Sequence, residues 1–322
     1  MYDVCAIGDA LIDFIPAPDY TPEKPIYLCN VGGTIANLAV ATSKLDLKTL
    51  IVSKVGDDTM GNLIKNTMDK NGVDSSSLIL DDDAFTTLSF VSLANDGERS
   101  FSFSRKHAAD IRLNKSELDI DKMLNTKILH FSGMCMTDDP IKEATFYVLK
   151  KAKERDIVIT LDVNYREKLW KSEEDYKKVM MSTLPYVTIF KAADDEALLL
   201  TEESSVEEAV KKISLKGPEL VIISLGAKGS YYYYKGMQGR VSSYVTNPVD
   251  TTGAGDCFFA AFIYKTIESG GITDLTEEKL VEMLDFANAS GALCTTKRGG
   301  VTGSSSYDEI ETCRCNMPKL EQ

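Results

Sequence analysis

Short apolar runs alternate with longer apolar or amphipathic stretches along most of the chain, and many of these runs end in glycine or aspartate. Val4-Cys-Ala-Ile-Gly8 reads as a short buried strand, with Asp9 and Asp13 beyond it. Four prolines and no helical period over 14–31 predict short strands or loop. Gly32-Gly33 opens an apolar helical stretch to Leu45, and 50–55 is a strand that turns through 56–61 into a helix over 62–71. Residues 127–133, 157–163 and 187–190 read as strands, 220–229 runs from strand into loop, and 231–235 and 240–245 add two more strands. Helices are expected from Asp139-Pro140 through Arg155, with Asp as N-cap and Pro at the first position, and over 205–215, opened by the capping box Ser205-Val-Glu-Glu208. Thr276 starts a last long helix through Cys294, and 308–314 is a short helical stretch. Strand–helix alternation of this kind predicts a mostly parallel α/β sheet. One segment has a different texture: 86–93 and 99–105 alternate with period two around Asp96-Gly97, a hairpin signal. Its second strand puts Phe101, Phe103 and Arg105 on one face and Ser100, Ser102 and Ser104 on the other.

The chemistry concentrates at Asp250-Thr251-Thr252-Gly253-Ala254-Gly255-Asp256, directly ahead of a run that is apolar on every face up to Ile267. A glycine-rich turn at a helix start presents unpaired backbone N–H groups, and the helix dipole helps them hold an anion. Asp256 is placed to take a proton from a hydroxyl while those amides stabilise a transferring phosphoryl group. Gly32-Gly33-x-x-x-Asn37 lets a small molecule approach the backbone and offers an amide one turn later. Asp9, the 162–166 cluster, Lys191 with Glu196, Gly226 and 250–256 all follow strands, so they are expected along one sheet edge.

Composition narrows the classes. At 322 residues the chain fits one large α/β unit. A net charge of −13 argues against a nucleic-acid partner. No window reaches ~18 consecutive apolar residues, so no membrane span is expected, and Met1 leads straight into a strand pattern without a signal peptide. Seven scattered cysteines, an odd number, fit reduced thiols in a cytoplasmic protein, and Cys313-x-Cys315 alone is weak evidence for zinc. Neither G-x-x-x-x-G-K-[S/T] nor G-x-G-x-x-G after the first strand is present.

The run 250–256 matches D-T-x-G-A-G-D, and with G-G-x-x-x-N at 32–37, G-x-D-x-x-G at 56–61 and S-L-G-x-K-G at 224–229 the chain resembles the ribokinase-like (PfkB) family of sugar and nucleoside kinases. The resemblance implies one ribokinase-like α/β domain over 1–322: a central, mostly parallel sheet between helices, with a small β lid from 14–31 and 86–105. Segments 97–110, 162–170 and 287–299 look most like those of fructokinases. Implied is phosphorylation of D-fructose to fructose 6-phosphate by ATP, with Mg²⁺ and K⁺. 2-Keto-3-deoxygluconate, ribose or a nucleoside are the alternative acceptors, and a non-catalytic sugar-binding relative is the rival of another class. By the same resemblance Asp13, Gly33 and Asn37 hold sugar hydroxyls, Phe103 and Arg105 cover the sugar, and Asn164 and Arg166 lie at its phosphate end. Asp256 is the base, and Gly253, Ala254 and Gly255 form the anion hole. Lys191, Ser224, Gly226, Gly229 and Asn288 border ATP, and Glu196 faces Mg²⁺ indirectly. Asp250 and Thr252, with carbonyls near Arg298 and Gly300, resemble a monovalent-cation site. A homodimer through the lid is implied as well. Two departures stand out: Ala193 replaces the family's Asn, and Lys106-His107 replaces the proline and small residues common after the lid arginine.

Overall fold

The computed structural model describes residues 1–21, 23–93 and 99–320. The N-terminal part runs β1 (Tyr2–Ile7), β2 (Leu11–Pro16), β3 (Tyr27–Gly32), α1 (Thr34–Ser43), β4 (Thr49–Gly56), α2 (Thr59–Lys70), β5 (Asp74–Asp81), β6 (Leu88–Leu93) and β7 (Arg99–Ser104). The middle adds α3 (Ile120–Met123), β8 (Thr126–Ser132), α4 (Ile141–Lys153), β9 (Val158–Asp162), α5 (Glu173–Thr183), β10 (Ile189–Ala193), α6 (Asp194–Thr201) and α7 (Val206–Ser214). The chain closes with β11 (Leu220–Ser224), β12 (Ser230–Tyr234), β13 (Met237–Val241), α8 (Ala254–Glu268), α9 (Glu277–Cys294), α10 (Gly300–Gly303) and α11 (Tyr307–Asn316).

A nine-stranded sheet has the order β13-β12-β11-β10-β9-β8-β1-β4-β5 and is parallel except for the antiparallel β12 and β13. Both faces are covered, which is why its strands read as continuous apolar runs. Val4 and Ala6 of β1 point into a core shared with α1, α2, α8 and α9, while Cys5 and Ile7 point into the core under α4, α5, α6 and α7. This is the expected ribokinase-like arrangement. The second sheet, β3-β2-β6-β7, pairs β2 with β6 in parallel and is otherwise antiparallel. Asp13 sits opposite Ser89, and Ser89 opposite Phe103, so the three share one face. The expected turn at Asp96-Gly97 lies outside the described residues.

Local differences from the sequence reading have identifiable causes. The helix expected to begin at 62 begins at Thr59, because the Asp58 carboxylate accepts from the amides of Met60 and Gly61. Asp139 does not cap α4; Pro140 holds that position without a side-chain cap. β5 escaped notice because its first half is Asp-Ser-Ser-Ser, and α5 and α6 because acidic residues fill their first turns. No helix among the described residues is long and apolar enough to cross a membrane.

Candidate active site

A cavity of about 340 Å³ opens beyond the C-terminal ends of the parallel strands, between the large sheet and the small one. Its floor is the start of α8. Gly253 turns the chain into that helix with φ +79°, and a Cβ there would lie 2.3 Å from the Gly300 Cα, so glycine is required both for conformation and for space. Asp256 stands in the first turn, only 8% exposed, and its Oδ2 accepts from Asn37 Nδ2 at 2.8 Å. Burial, reinforced by the neighbouring charge of Asp162, pushes the Asp256 carboxyl up to about 7, against the opposing pull of Asn37 and Lys191.

Lys191, on β10, lies alongside. Its Nζ is 2.9 Å from both oxygens of Asp162 at the end of β9, and a Cβ on Gly255 would come within 2.9 Å of it. Burial works against the Lys191 charge, but Asp162 and Glu196 outweigh it and its pKa is raised. An ammonium is thus fixed beside the amides that open α8. The Glu196 carboxylate accepts from Tyr165 N and Ala193 N, each at 2.7 Å, and burial raises its pKa. The backbone amide at 193 thereby orients Glu196 whatever side chain stands there.

The opposite wall comes from the small sheet and the start of α1. Asp13 is buried, and that burial raises its carboxyl to about 6. The Asn37 Oδ1 is buried with no hydrogen-bond partner within the protein. Asp9 accepts from Thr34 N at 2.8 Å and from Ser132 Oγ at 3.0 Å, fixing the turn at Gly33, whose φ is +98°. The rings of Phe101 and Phe103 stack with centroids 6.2 Å apart, and the Arg166 guanidinium lies 5.1 Å from the Phe101 centroid. Asn164, with φ 39°, donates to Thr34 Oγ1.

A second cavity of about 460 Å³ shares Ser224, Thr251 and Gly255 with the first. Gly226, Gly229, Tyr244, Ala254, Phe258 and Asn288 line it, and Asn288 Nδ2 donates to the Val241 carbonyl at 3.0 Å. Nearby, the buried Asp250 accepts from Thr252 N at 2.8 Å and Gly299 N at 2.9 Å, joining the two loops. Arg298 donates to the Pro16 carbonyl at 3.3 Å, and the Gly300 carbonyl accepts from Ser304 N at 3.1 Å.

Asp13, Gly33, Asn37, Phe103, Asn164, Arg166, Lys191, Glu196, Gly253, Gly255 and Asp256 therefore meet at one cavity, and Ser224, Gly226, Gly229 and Asn288 at the adjoining one. Arg105 departs from the expectation. It is off the cavity wall, with Nε on Asp110 Oδ2 at 2.7 Å, Nη1 on Thr137 Oγ1 at 2.8 Å and Nη2 on the Met134 carbonyl at 2.9 Å. A buried guanidinium needs a counter-charge, and Asp110 supplies it. Sequence reasoning gave no role to Asp9, Phe101 or Asp162, all of which line the cavity. Asp9 and Asp162 carried a signal, being the polar residues at strand ends.

Of the expected anion-hole residues, Ala254 lines the adjoining cavity, and its amide donates to the Thr251 carbonyl at 3.3 Å. A carboxyl with its pKa raised near 7, facing a cavity beside a buried ammonium and the start of a helix, suits transfer of an anionic group to a hydroxyl. Comparison with known proteins agrees. Residues 1–306 match the model of the pfkB family carbohydrate kinases. The chain is 38% identical over 301 residues to Probable fructokinase-5 of Arabidopsis thaliana, covering 92% of this chain and 93% of that one. Fructokinase with bound ATP from Xylella fastidiosa superposes with a TM-score of 0.88 at 28% identity, covering 97% of each chain. A double mutant of the Vibrio cholerae O395 fructokinase, in its fructose, ADP and potassium ion bound form, superposes at 0.86 with 27% identity over 97% of this chain and 98% of that one. The chain belongs to the pfkB family of carbohydrate kinases.

Proposed function

We propose that this kinase transfers the γ-phosphoryl group of ATP to the 6-hydroxyl of D-fructose. The observation that carries the reading is Asp256, buried at the glycine-rich start of α8 with its carboxyl at about 7 and Lys191 beside it. ATP supplies the phosphoryl group. Asp256 takes the hydroxyl proton as the new bond forms, while the amides of 253–255 stabilise the charge in transit. Asp13 and the unpartnered Asn37 Oδ1 accept from sugar hydroxyls, and Phe103 closes over the sugar face. Arg166 and Asn164 stand at the phosphate end. The second cavity, with Ser224, Gly226, Gly229 and Asn288, takes the nucleoside, and Lys191 reaches its phosphates. Fructokinases are among the relatives and solved neighbours, which supports fructose over 2-keto-3-deoxygluconate, ribose and nucleosides.

Magnesium fits as an ion carried by the nucleotide. Both Glu196 oxygens already accept backbone N–H groups. Among the described residues the one carboxylate cluster tight enough for a metal is Asp81-Asp82-Asp83, at the end of β5. Glu196 would face the ion through water, as Mg²⁺ usually keeps several waters. A monovalent cation fits the oxygen-rich loops at Asp250, Thr252, Arg298 and Gly300, and would shape the turn at Gly253. The whole chain works as one domain, with the small sheet as lid. A half-buried aromatic cluster on the lid's other face, with Phe14 and Phe90 stacked at 5.0 Å beside Tyr27, supports a homodimer through it. The seven free cysteines support a cytoplasmic location.

An ATP-consumption assay with fructose, ribose, adenosine and 2-keto-3-deoxygluconate tests the reading. Fructose should give the highest kcat/KM; a higher value for any other removes fructose and leaves the family standing.

A further inference from the structure

Resting on the kinase reading, we infer that Asp110 restricts this site to neutral sugars by withholding Arg105 from acidic ones. Arg105 follows the cavity-facing Phe101 and Phe103 in sequence, one residue past the end of β7. It is drawn into a buried pair in which the Arg105 and Asp110 side chains are 4% and 2% exposed. The second oxygen of Asp110 accepts from Thr87 Oγ1 at 2.6 Å, which fixes the carboxylate in place. The remaining guanidinium contacts go to Thr137 and to the carbonyl of Met134, a residue of the cavity wall.

The wall around this neutralised arginine is acidic. Asp9, Asp13, Asp162, Glu196 and Asp256 line the cavity, against Lys191 and Arg166. Lys191 is already held by Asp162, and Arg166 lies over Phe101 with its Nη1 on the Tyr165 carbonyl. A carboxylate on the sugar would therefore be desolvated largely among like charges, with Lys191 already paired and Arg166 partly committed to Phe101 and Tyr165. Neutral hydroxyls meet acceptors that suit them. Asp110 is thus a positioning residue that acts on specificity through Arg105.

Asp110→Asn keeps the shape and one acceptor but removes the paired charge, leaving Arg105 with only the more distant carboxylates of Asp9 and Asp138, behind the cavity-wall residue Met134. The measurement is kcat/KM for 2-keto-3-deoxygluconate and for fructose, taken as a ratio in wild type, Asp110→Asn and the double variant Arg105→Gln/Asp110→Asn. Hydrogen bonds to charged groups exceed neutral ones enough to predict a rise in the ratio of at least about tenfold in Asp110→Asn. The double variant should return to the wild-type ratio, because the gain needs the arginine. An unchanged ratio in Asp110→Asn, or a gain that survives loss of Arg105, overturns the inference. Should Asp110→Asn fail to fold, inhibition of the wild type decides. Gluconate should inhibit fructose phosphorylation only at concentrations far above the fructose KM, and binding as tight as fructose overturns the idea. If wild type phosphorylates no sugar, the proposed function fails; if it phosphorylates fructose and the ratio stays fixed, this inference alone fails.

Discussion

Replacing Asp256 with asparagine should cut turnover sharply and stabilise the protein at the same time. Burial lifts the carboxyl from 3.8 to about 7. A pKa raised in the folded state means that folding disfavours the ionised form. The resulting penalty is absent below the unfolded pKa, grows as pH rises, and is complete above the folded one. At 1.36 kcal/mol per pH unit it amounts to at most about 4 kcal/mol. Asparagine is neutral at every pH and can still accept from Asn37. At pH 8 Asp256→Asn should therefore melt several degrees above wild type, and the gap should close as pH falls from 7 toward 4. Loss of a general base costs about 10²–10⁴ in rate, so kcat should fall that far. In the wild type, kcat should decline as pH drops through about 7, where Asp256 takes up its proton. Thermal melts and steady-state rates across pH 5–9 test all three. More than roughly a tenth of wild-type kcat in the variant, a flat wild-type profile from pH 6 to 8, or a variant less stable at pH 8 would refute the reasoning.

Three further outcomes follow from the site. K⁺ should raise the rate over that in a bulky organic-cation buffer, and Asp250→Ala, which unties the two loops, should erase the difference; equal wild-type rates in both buffers would remove the cation site. Gly253→Ala forces a left-handed residue and a Cβ 2.3 Å from Gly300 Cα, so the anion hole should distort and kcat fall about 10²–10³-fold; near-normal turnover would show that these amides do not serve the reaction. Phe101→Leu removes the ring under Arg166, worth about 0.5–2 kcal/mol, and should lower kcat/KM for the sugar by about two- to thirtyfold; an unchanged value would make the stack incidental.

The large sheet was legible because most of its buried strands are compact apolar runs followed by a polar residue, and several of those polar residues mark the cavity edge. Asp9 and Asp162 follow that rule, whereas Lys191 lies inside β10. The glycine turn that opens α8 was legible from Gly253 and Gly255 standing just ahead of Asp256 and a run apolar on every face. What escaped depends on contacts between distant segments. β5 is half serine, and only its parallel pairing with β4 identifies it. The pKa of Asp256 depends on Asp162, nearly a hundred residues away and brought near only by the sheet order.

Arg105 shows where local periodicity stops being a guide to chemistry. Alternation continued from Phe101 and Phe103 predicts Arg105 at the cavity too, but β7 ends at Ser104; for the two phenylalanines the pattern is enough, since a ring needs only a wall to lie against. A guanidinium carries a charge that cannot be buried alone, so its position is set by the nearest carboxylate that can be buried with it. Asp110, five residues on and already holding Thr87, is that carboxylate, and the pairing turns Arg105 away from the sugar. Lys191 obeys the same rule with the opposite result. Its carboxylate, Asp162, lies on the next strand at the cavity edge, so the charge balance that buries the lysine also keeps it beside the helix amides. In both cases the partner, rather than the strand pattern, decides whether a cation serves the ligand.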